Sequence, residues 1–322
     1  MLNRLNIVII NYRTPKLTVD CLTSLAGEIE LGKDFVLVVD NASGDNSVKK
    51  IKKAIAVNQW DNFVRVIASE VNGGFSAGNN IGIKAVKADA YLLLNSDTIV
   101  RPGAIEIMLK SLKSNPEVGI VSPRLEWLDG SPQISCFRYR SPISELINAA
   151  GSGPVTKLLK KYDVPMPVSD KPIEPQWTSF ACVLIRHEVV EQIGLMDEGY
   201  FMYFDDIDYC RKARNAGWEI LHVPEARIVH LRGGSSSVKA DLAARKRPRL
   251  YYYASRTRYF TTFYGYIGFW LANICWLVGR SISFTREIFK NKKPHTCEYE
   301  ARDIWHNWNS PTEPYLSIKE RV

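Results

Sequence analysis

Short apolar runs alternate with longer amphipathic stretches along the first half of the chain. IVII (7–10), FVLVV (35–39), VRVIA (64–68) and YLLL (91–94) have strand length, and unbroken apolar runs of this kind mark strands buried on both faces of a parallel sheet. Between them, residues 17–25, the stretch carrying Val48, Ile51 and Ile55, and the residues following Asn80 have helical spacing, with Pro15 near the start of the first. Strands alternating with helices predict an α/β fold: a doubly wound, Rossmann-like, mostly parallel sheet flanked by helices, with right-handed crossovers. A helix over 104–112, a strand over 118–121, an apolar VLI run (183–185), a helix over 187–193, another opening at Asp205 and closing at Gly217, and a strand over 226–229 extend the pattern. Residues 129–175, rich in Pro, Ser and Gly, read as long loops covering a site.

Every early strand ends in a polar cluster: Asn11-Tyr12, Asp40-Asn41, the loop from Asn72 to Gly78, and Asn95-Ser96-Asp97. Carboxyl ends of parallel strands share one edge, where open α/β sheets bind ligands. These clusters are therefore expected to converge. Asp97 at that edge suits a divalent cation and, through it, a diphosphate; a turn former or N-cap ahead of Pro102-Gly103 is its other reading. Asp40 is placed to accept hydrogen bonds from a ribose or pyrimidine. Gly73, Gly74 and Gly78 let backbone approach a ligand, although Gly73-Gly74 alone also reads as a turn. GxGxxG is absent and no P-loop lysine follows, which disfavours a dinucleotide or ATP site.

A second constellation lies at 197–211. Asp205, Asp206 and Asp208 open a helix, with Arg211 three residues on, after the aromatic run Tyr200, Phe201, Tyr203, Phe204. Acids at a helix N-terminus are favourable in themselves, and an acid-capped helix with an i,i+3 Arg pair explains the charges without chemistry. The aromatic walls favour the alternative, a general base beside a sugar-stacking surface. His230 ends a strand next to Gly233-Gly234, a position suited to a metal ligand, whereas His187 and His222 read as structural.

With 322 residues and 46% hydrophobic content, the chain is long enough for one large domain plus an appendage. Its six scattered cysteines contain no CxxC pair, which points to a reducing compartment. MLNRLNIVIINY reads as a first strand, too short in its apolar part for a signal peptide. The net charge of +8 is concentrated after Lys239, in RKRPR (245–249), Arg256, Arg258, Arg280, Arg286 and 290–293. Within that region 259–279 is uncharged and rich in Trp and Tyr; spanning a bilayer, lying in its interface and packing on the domain all stay open. Aromatics grouped in this way, rather than spread among the basic residues, argue against nucleic acid as a partner.

IVIINY (7–12), VVDNAS (38–43), NGGFSAGNNIG (72–82), LLLNSD (92–97), MDEGYFMYFDDIDYCRKARNAGW (196–218) and HVPEARIVH (222–230), in that order, resemble glycosyltransferase family 2 with its GT-A fold, and within it the bacterial rhamnosyltransferase-like group. The resemblance covers residues 5 to about 235. It implies a catalytic domain over 1–238, with a nucleotide-binding half to about 125 and an acceptor half beyond, and a helical, membrane-associated extension over 239–322. By resemblance, Asn11, Tyr12, Asp40 and Asn41 hold the nucleoside of a nucleotide-sugar, and Gly73, Gly74, Phe75 and Asn79 lie along it. Asn95, Ser96 and Asp97 occupy the DxD position; its first Asp is Asn95 here, which leaves Asp97 as the metal ligand, joined by a late His at 230. Asp206 falls at the general base, with Asp205 in place of a Glu, and Trp177, Asp197, Glu198 and Asp205 line the acceptor or sugar pocket. The implied activity is inverting transfer with Mn²⁺ or Mg²⁺, of rhamnose from dTDP-rhamnose, to a lipid-linked or saccharide acceptor in surface polysaccharide or O-antigen assembly. UDP-linked N-acetylglucosamine, galactofuranose or another hexose is the alternative donor, and an inactive nucleotide-sugar-binding subunit the alternative role. The implied place is the cytoplasm, peripheral on the inner face of the plasma membrane, with a homodimer as an open expectation.

Overall fold

In chain order the elements are β1 (Leu5–Asn11), α1 (Pro15–Leu25), β2 (Phe35–Asp40), α2 (Ser47–Val57), β3 (Val64–Ala68), α3 (Gly74–Ala85), β4 (Ala90–Asn95), β5 (Thr98–Val100), α4 (Ala104–Ser114), β6 (Val118–Glu126), β7 (Cys136–Phe137), α5 (Pro142–Ala150), α6 (Gly153–Leu158), β8 (Trp177–Thr178), β9 (Cys182–Arg186), α7 (His187–Ile193), α8 (Asp205–Asn215), β10 (Glu219–His230), α9 (Val238–Ala243), α10 (Leu250–Lys290) and α11 (Glu300–Asp303). They come from a computed structural model that describes residues 4–30, 32–232, 238–290 and 294–315. They divide into two units.

The first unit (Met1–Phe137, Pro167–Glu198, Asp205–Ser235) is built on an eight-stranded sheet of order β3-β2-β1-β4-β9-β6-β10-β5. β1 lies parallel between β2 and β4, as the alternation of strands and helices requires. Ile7, Ile9, Val36, Val38, Leu92 and Leu94 on one face, and Val8, Val39, Tyr91 and Leu93 on the other, are buried in separate apolar clusters. Helices therefore cover both faces of these strands, which explains their unbroken apolar runs. On α3 the helix backbone comes so near β1 that a Cβ at Gly82 would stand 2.3 Å from Val8.

Beyond β4 the sheet is mixed. The VLI run belongs to β9, which inserts antiparallel between β4 and β6, and β5 pairs antiparallel with the end of β10. The last strand is longer than the expected 226–229, running from Glu219 to His230 beside β6. Pro224 hides this continuity in the sequence: the register shifts between Val223 and Arg227, the kind of irregularity at which a strand accepts proline.

The second unit comprises Arg138–Met166, Gly199–Phe204 and Ser236–Val322. Part of the stretch expected as loops is helical: α5 starts with Pro142 after a reciprocal Ser141–Ser144 capping box and stops at Gly151 in the left-handed conformation. The uncharged 259–279 segment is not one uninterrupted helix. α10 breaks at Gly265 (φ 68°, ψ −179°), a backbone conformation essentially reserved for glycine. Its two arms fold back toward each other, since Arg256 of the first donates to Asn273 Oδ1 of the second at 2.7 Å. Arg256 also meets Glu145 of α5 at 2.9 Å, both side chains being almost fully buried. Where α5 crosses the second arm, a Cβ on Gly279 would lie 2.3 Å from the Leu146 carbonyl.

Candidate active site

The register of β1 sets the site. Asn11 stands opposite Asp40 on β2, and Ile10 opposite Asn95 on β4, so three of the polar clusters meet at one edge. There they bond first to one another. Asn11 Nδ2 donates to Asp40 Oδ2 at 2.6 Å, as does Ser43 Oγ at 2.6 Å, while the Ser43 amide donates to Asp40 Oδ1 at 3.0 Å. Asn11 Oδ1 accepts from Thr18 at 2.9 Å. Asn41 donates to Asn72 Oδ1 and to the Gly74 carbonyl, at 3.0 and 2.8 Å, and so fastens the glycine loop to β2. Gly74 opens α3 with φ 84°, which explains its glycine, and Asn79 bonds back to the Phe75 carbonyl at 3.1 Å. Tyr12 is half-buried beside these groups, with the Arg13 guanidinium 5.1 Å over its ring. Ser43 and Thr18 were not among the expected site residues; each acts through Asn11 or Asp40, a contact that no local pattern reveals.

The turn after β4 is pinned on both sides. Asn95 N–H donates to the Ala181 carbonyl at the start of β9 (2.9 Å), and the Asp97 carbonyl accepts from Leu231 N–H just beyond β10 (2.9 Å). Ser96 Oγ is 3.3 Å from Thr14 Oγ1. The Asp97 carboxylate is buried, with Oδ1 3.5 Å from His230 Nε2. The other imidazole nitrogen, Nδ1, is buried without a hydrogen-bond partner among the described residues. A carboxylate oxygen and an imidazole so spaced fit two donors of one divalent cation, whose bonds of about 2.1 Å put neighbouring donors about 3 Å apart. Among the described residues no three or more His, Cys, Asp or Glu gather into such a site. Behind His230 stands Gln133, another unexpected residue: its amide donates to the His230 carbonyl (2.8 Å) and to the Glu126 carbonyl (3.0 Å) and accepts from Arg232.

Helix α8, which opens with the acidic turn, packs beside residues 177–182. Phe180 meets the Tyr209 ring edge-on at 6.1 Å, and the Ala181 carbonyl accepts from Asn95 N–H in the turn after β4. Neighbouring aspartates on this turn have opposite surroundings. Asp205 points inward, with Oδ2 lacking a partner among the described residues, and burial followed by the nearby Asp206 charge raises its pKa well above the carboxylate range. Asp206 is half-exposed, its Oδ1 accepting from Ile207 N–H at 2.9 Å. Asp205 is thus buried, in surroundings that favour its neutral form. Asp208 pairs with Lys212 at 2.7 Å, one helical turn on, and Asp197 lies 3.9 Å from the same lysine. Glu198 accepts from Asn80, whose side chain also holds both backbone groups of Met196, tying α3 to the segment before α8. Trp177 is half-buried and stacks on Phe137, ring centroids 4.2 Å apart.

Comparison with known proteins shows the family and the fold. The family model described as "Glycosyltransferase like family 2" matches residues 3–252. The chain is 27% identical over 266 residues to an N-acetylglucosaminyl-diphospho-decaprenol L-rhamnosyltransferase of Mycobacterium tuberculosis, covering 77% of this chain and 80% of that one. It is 27% identical over 235 residues to the low-salt glycan biosynthesis hexosyltransferase Agl10 of Haloferax volcanii, covering 71% and 66%. Among solved structures it shares its fold with a mannosyltransferase of Pyrobaculum calidifontis, itself determined with GDP-Man and Mn²⁺, at a TM-score of 0.58 and 13% identity over 92% of this chain and 78% of that one. The fold is therefore GT-A, the activity glycosyl transfer, and the chain belongs to glycosyltransferase family 2.

Proposed function

We propose that this protein is an inverting, cation-dependent transferase that moves rhamnose from dTDP-rhamnose to a lipid-linked or saccharide acceptor in surface polysaccharide assembly, working on the inner face of the plasma membrane. The observation that supports the reading is Asp97 facing His230 at the sheet edge, with Asp206 on a helix whose Tyr209 packs on Phe180, next to the Ala181 that holds the Asp97 turn. Mn²⁺ or Mg²⁺ held by Asp97 and His230 would neutralise charge on a departing diphosphate. Asn11, Asp40, Asn41 and Ser43 form a prefolded rim for the nucleoside, with the Gly73–Gly74 loop and Asn79 along it and Asn95 and Ser96 at the ribose or phosphate. Asp206, open to solvent on one side, takes the proton of the acceptor hydroxyl. That oxygen bonds to the anomeric carbon as the carbon–diphosphate bond breaks on the opposite face, so one displacement inverts the configuration. Trp177 and the Asp197–Glu198 pair flank the acceptor side. Rhamnose as the sugar is supported by the Mycobacterium tuberculosis relative's name, which also speaks for a lipid-diphosphate acceptor.

The test is release of nucleoside diphosphate with Mn²⁺ or Mg²⁺ and a panel of nucleotide-sugars. Turnover and thermal stabilisation are expected with dTDP-rhamnose. Response to a UDP-sugar without dTDP-rhamnose transfers the reading to the hexose donors, and absence of turnover with every donor, despite stabilisation, marks a binding subunit.

A further inference from the structure

The second arm of α10 carries an apolar ridge on its outward side. Its outward residues Ile267, Leu271, Ile274, Val278, Ile282 and Phe289 stand three, four or seven apart, along one ridge of the helix. Ile267 is 78% exposed and Phe289 83%. The inward side buries Phe269, Ala272 and Trp276 and also carries polar groups: Asn273 and Ser283 are fully buried, and Arg280 pairs with Glu287 at 2.9 Å. A soluble helix hides its apolar stripe, and a continuous exposed one marks an interaction surface.

The surroundings of the ridge identify its occupant. At its near end Tyr266 and Trp270 are exposed, side chains that settle at membrane–water boundaries. At its far end the positive groups collect. Arg286 is half-exposed on the arm itself, and exposed Arg245 lies 3.5 Å from His295, whose N–H in turn caps Glu287. From Leu242 to Arg286 the chain contains no Asp or Glu. Two copies meeting across this face would bring the same basic ends near each other or leave them unmatched, whereas anionic headgroups complement them.

We propose that the second arm of α10 is a bilayer-docking surface that lies in the plane of an anionic membrane, its ridge among the acyl chains and Arg245, Lys246 and Arg286 at the headgroups. This sharpens the membrane part of the reading above and needs no assumption about the donor. The ridge from Ile267 to Phe289, roughly 33 Å along the helix, is long enough to cross a bilayer. Crossing, however, would carry the α5 side of the arm into hydrocarbon, with Glu145, Arg256, Arg280 and Glu287. Lying flat keeps those charges on the aqueous side.

Flotation of the full-length protein with phosphatidylcholine vesicles, with and without phosphatidylglycerol, tests the proposal. Flotation with the anionic vesicles is expected, with weakening on the order of tenfold or more for Ile274→Glu/Val278→Glu and for Phe289→Glu, and none for Val57→Glu on the exposed face of α2. Release by alkaline carbonate is also expected. Failure to float, unchanged flotation of both ridge variants, or resistance to carbonate overturns the in-plane surface. So does a concentration-dependent dimer that ignores vesicles and is broken by the ridge variants. Nucleoside diphosphate release measured without vesicles reports on the transferase reading separately: a protein that floats and never turns over a donor defeats that reading and leaves this one standing.

Discussion

The two units distribute polarity differently. In the first, apolar side chains fill both sides of the sheet and the polar groups that matter come to its carboxyl edge. In the second, charged groups are buried beside an apolar cluster of Tyr253, Trp276 and Ile304: Glu145 lies between Arg140 at 3.3 Å and Arg256 at 2.9 Å, Arg256 reaches Asn273, and an apolar ridge of α10 faces outward. Water explains the first pattern, because burial of apolar surface drives folding and ligand-binding groups collect where strands stop. An exposed apolar ridge over buried charged pairs marks an interaction surface. One chain thus carries a polar sheet edge on one unit and an exposed apolar ridge on the other.

The largest effect that sharpens this contrast is expected at the first unit's open carboxylate. Asp206→Asn removes the proton acceptor while keeping the helix turn, and transfer should fall by about 10²–10⁴-fold, with donor affinity nearly unchanged. Steady-state turnover beside donor titration checks it, and near-normal turnover removes Asp206 from the chemistry. In the second unit the corresponding break is Arg256→Met. It strands Glu145 with one cationic partner in a dry setting, and loss of one member of a buried pair costs about 3–5 kcal/mol. Because Arg140 remains, about 3 kcal/mol is expected in denaturant unfolding, with most of it recovered in Arg256→Met/Glu145→Gln. A loss below about 1 kcal/mol, typical of surface pairs, would mean that the pair is solvated and the contrast is overstated. Smaller again, Asp97→Ala should weaken cation-dependent donor binding by about 10–100-fold, the scale on which metal sites respond to lost partners. Titration with and without Mn²⁺ separates this from lost nucleoside contacts, which the substitution should spare.

The sequence revealed the first unit's edge more readily than its middle, for a physical reason. Asn11, Asp40, Asn95 and Asp97 end apolar runs whose parallel pairing is dictated by the alternation of strands and helices, so convergence follows from local pattern. β9 carries no comparable mark: an apolar run such as VLI is the same whether its strand enters parallel or antiparallel, and only contact with Leu92 and Leu94 decides. Gln133 and Asn80 are equally silent, because their roles lie in bonds to carbonyls 97 and 116 residues away. Asp205 and Asp206 show the same limit at the closest range. Neighbours on a helix point about 100° apart, so one is buried and the other partly exposed, a distinction that chain order does not carry. In α10 the periodic apolar residues are evident, but the burial of the opposite face is not: amphipathic spacing specifies two faces without saying which one meets the protein.

The smallest effect separates the units by pH. His222 on β10 is buried, 3.2 Å from Ser122 Oγ, and burial together with the Arg124 charge lowers its pKa from 6.5 to about 4. Its unfolded form therefore takes a proton at a pH where the folded form still refuses it. Stability is complete above the unfolded value of 6.5, declines as pH falls toward 4, and changes no further below that for this group. Between pH 7 and 4.5 the first unit should lose about 2 kcal/mol through this residue, a loss that His222→Gln should abolish. The second unit has its own histidine with a pKa lowered by burial, His306, so its acid response, like its flotation, should be unchanged by the His222 substitution. Denaturant unfolding at the two pH values, for wild type and His222→Gln, decides: an equal pH response in both proteins places the acid sensitivity elsewhere and removes His222 from the account of how the first unit keeps its interior neutral.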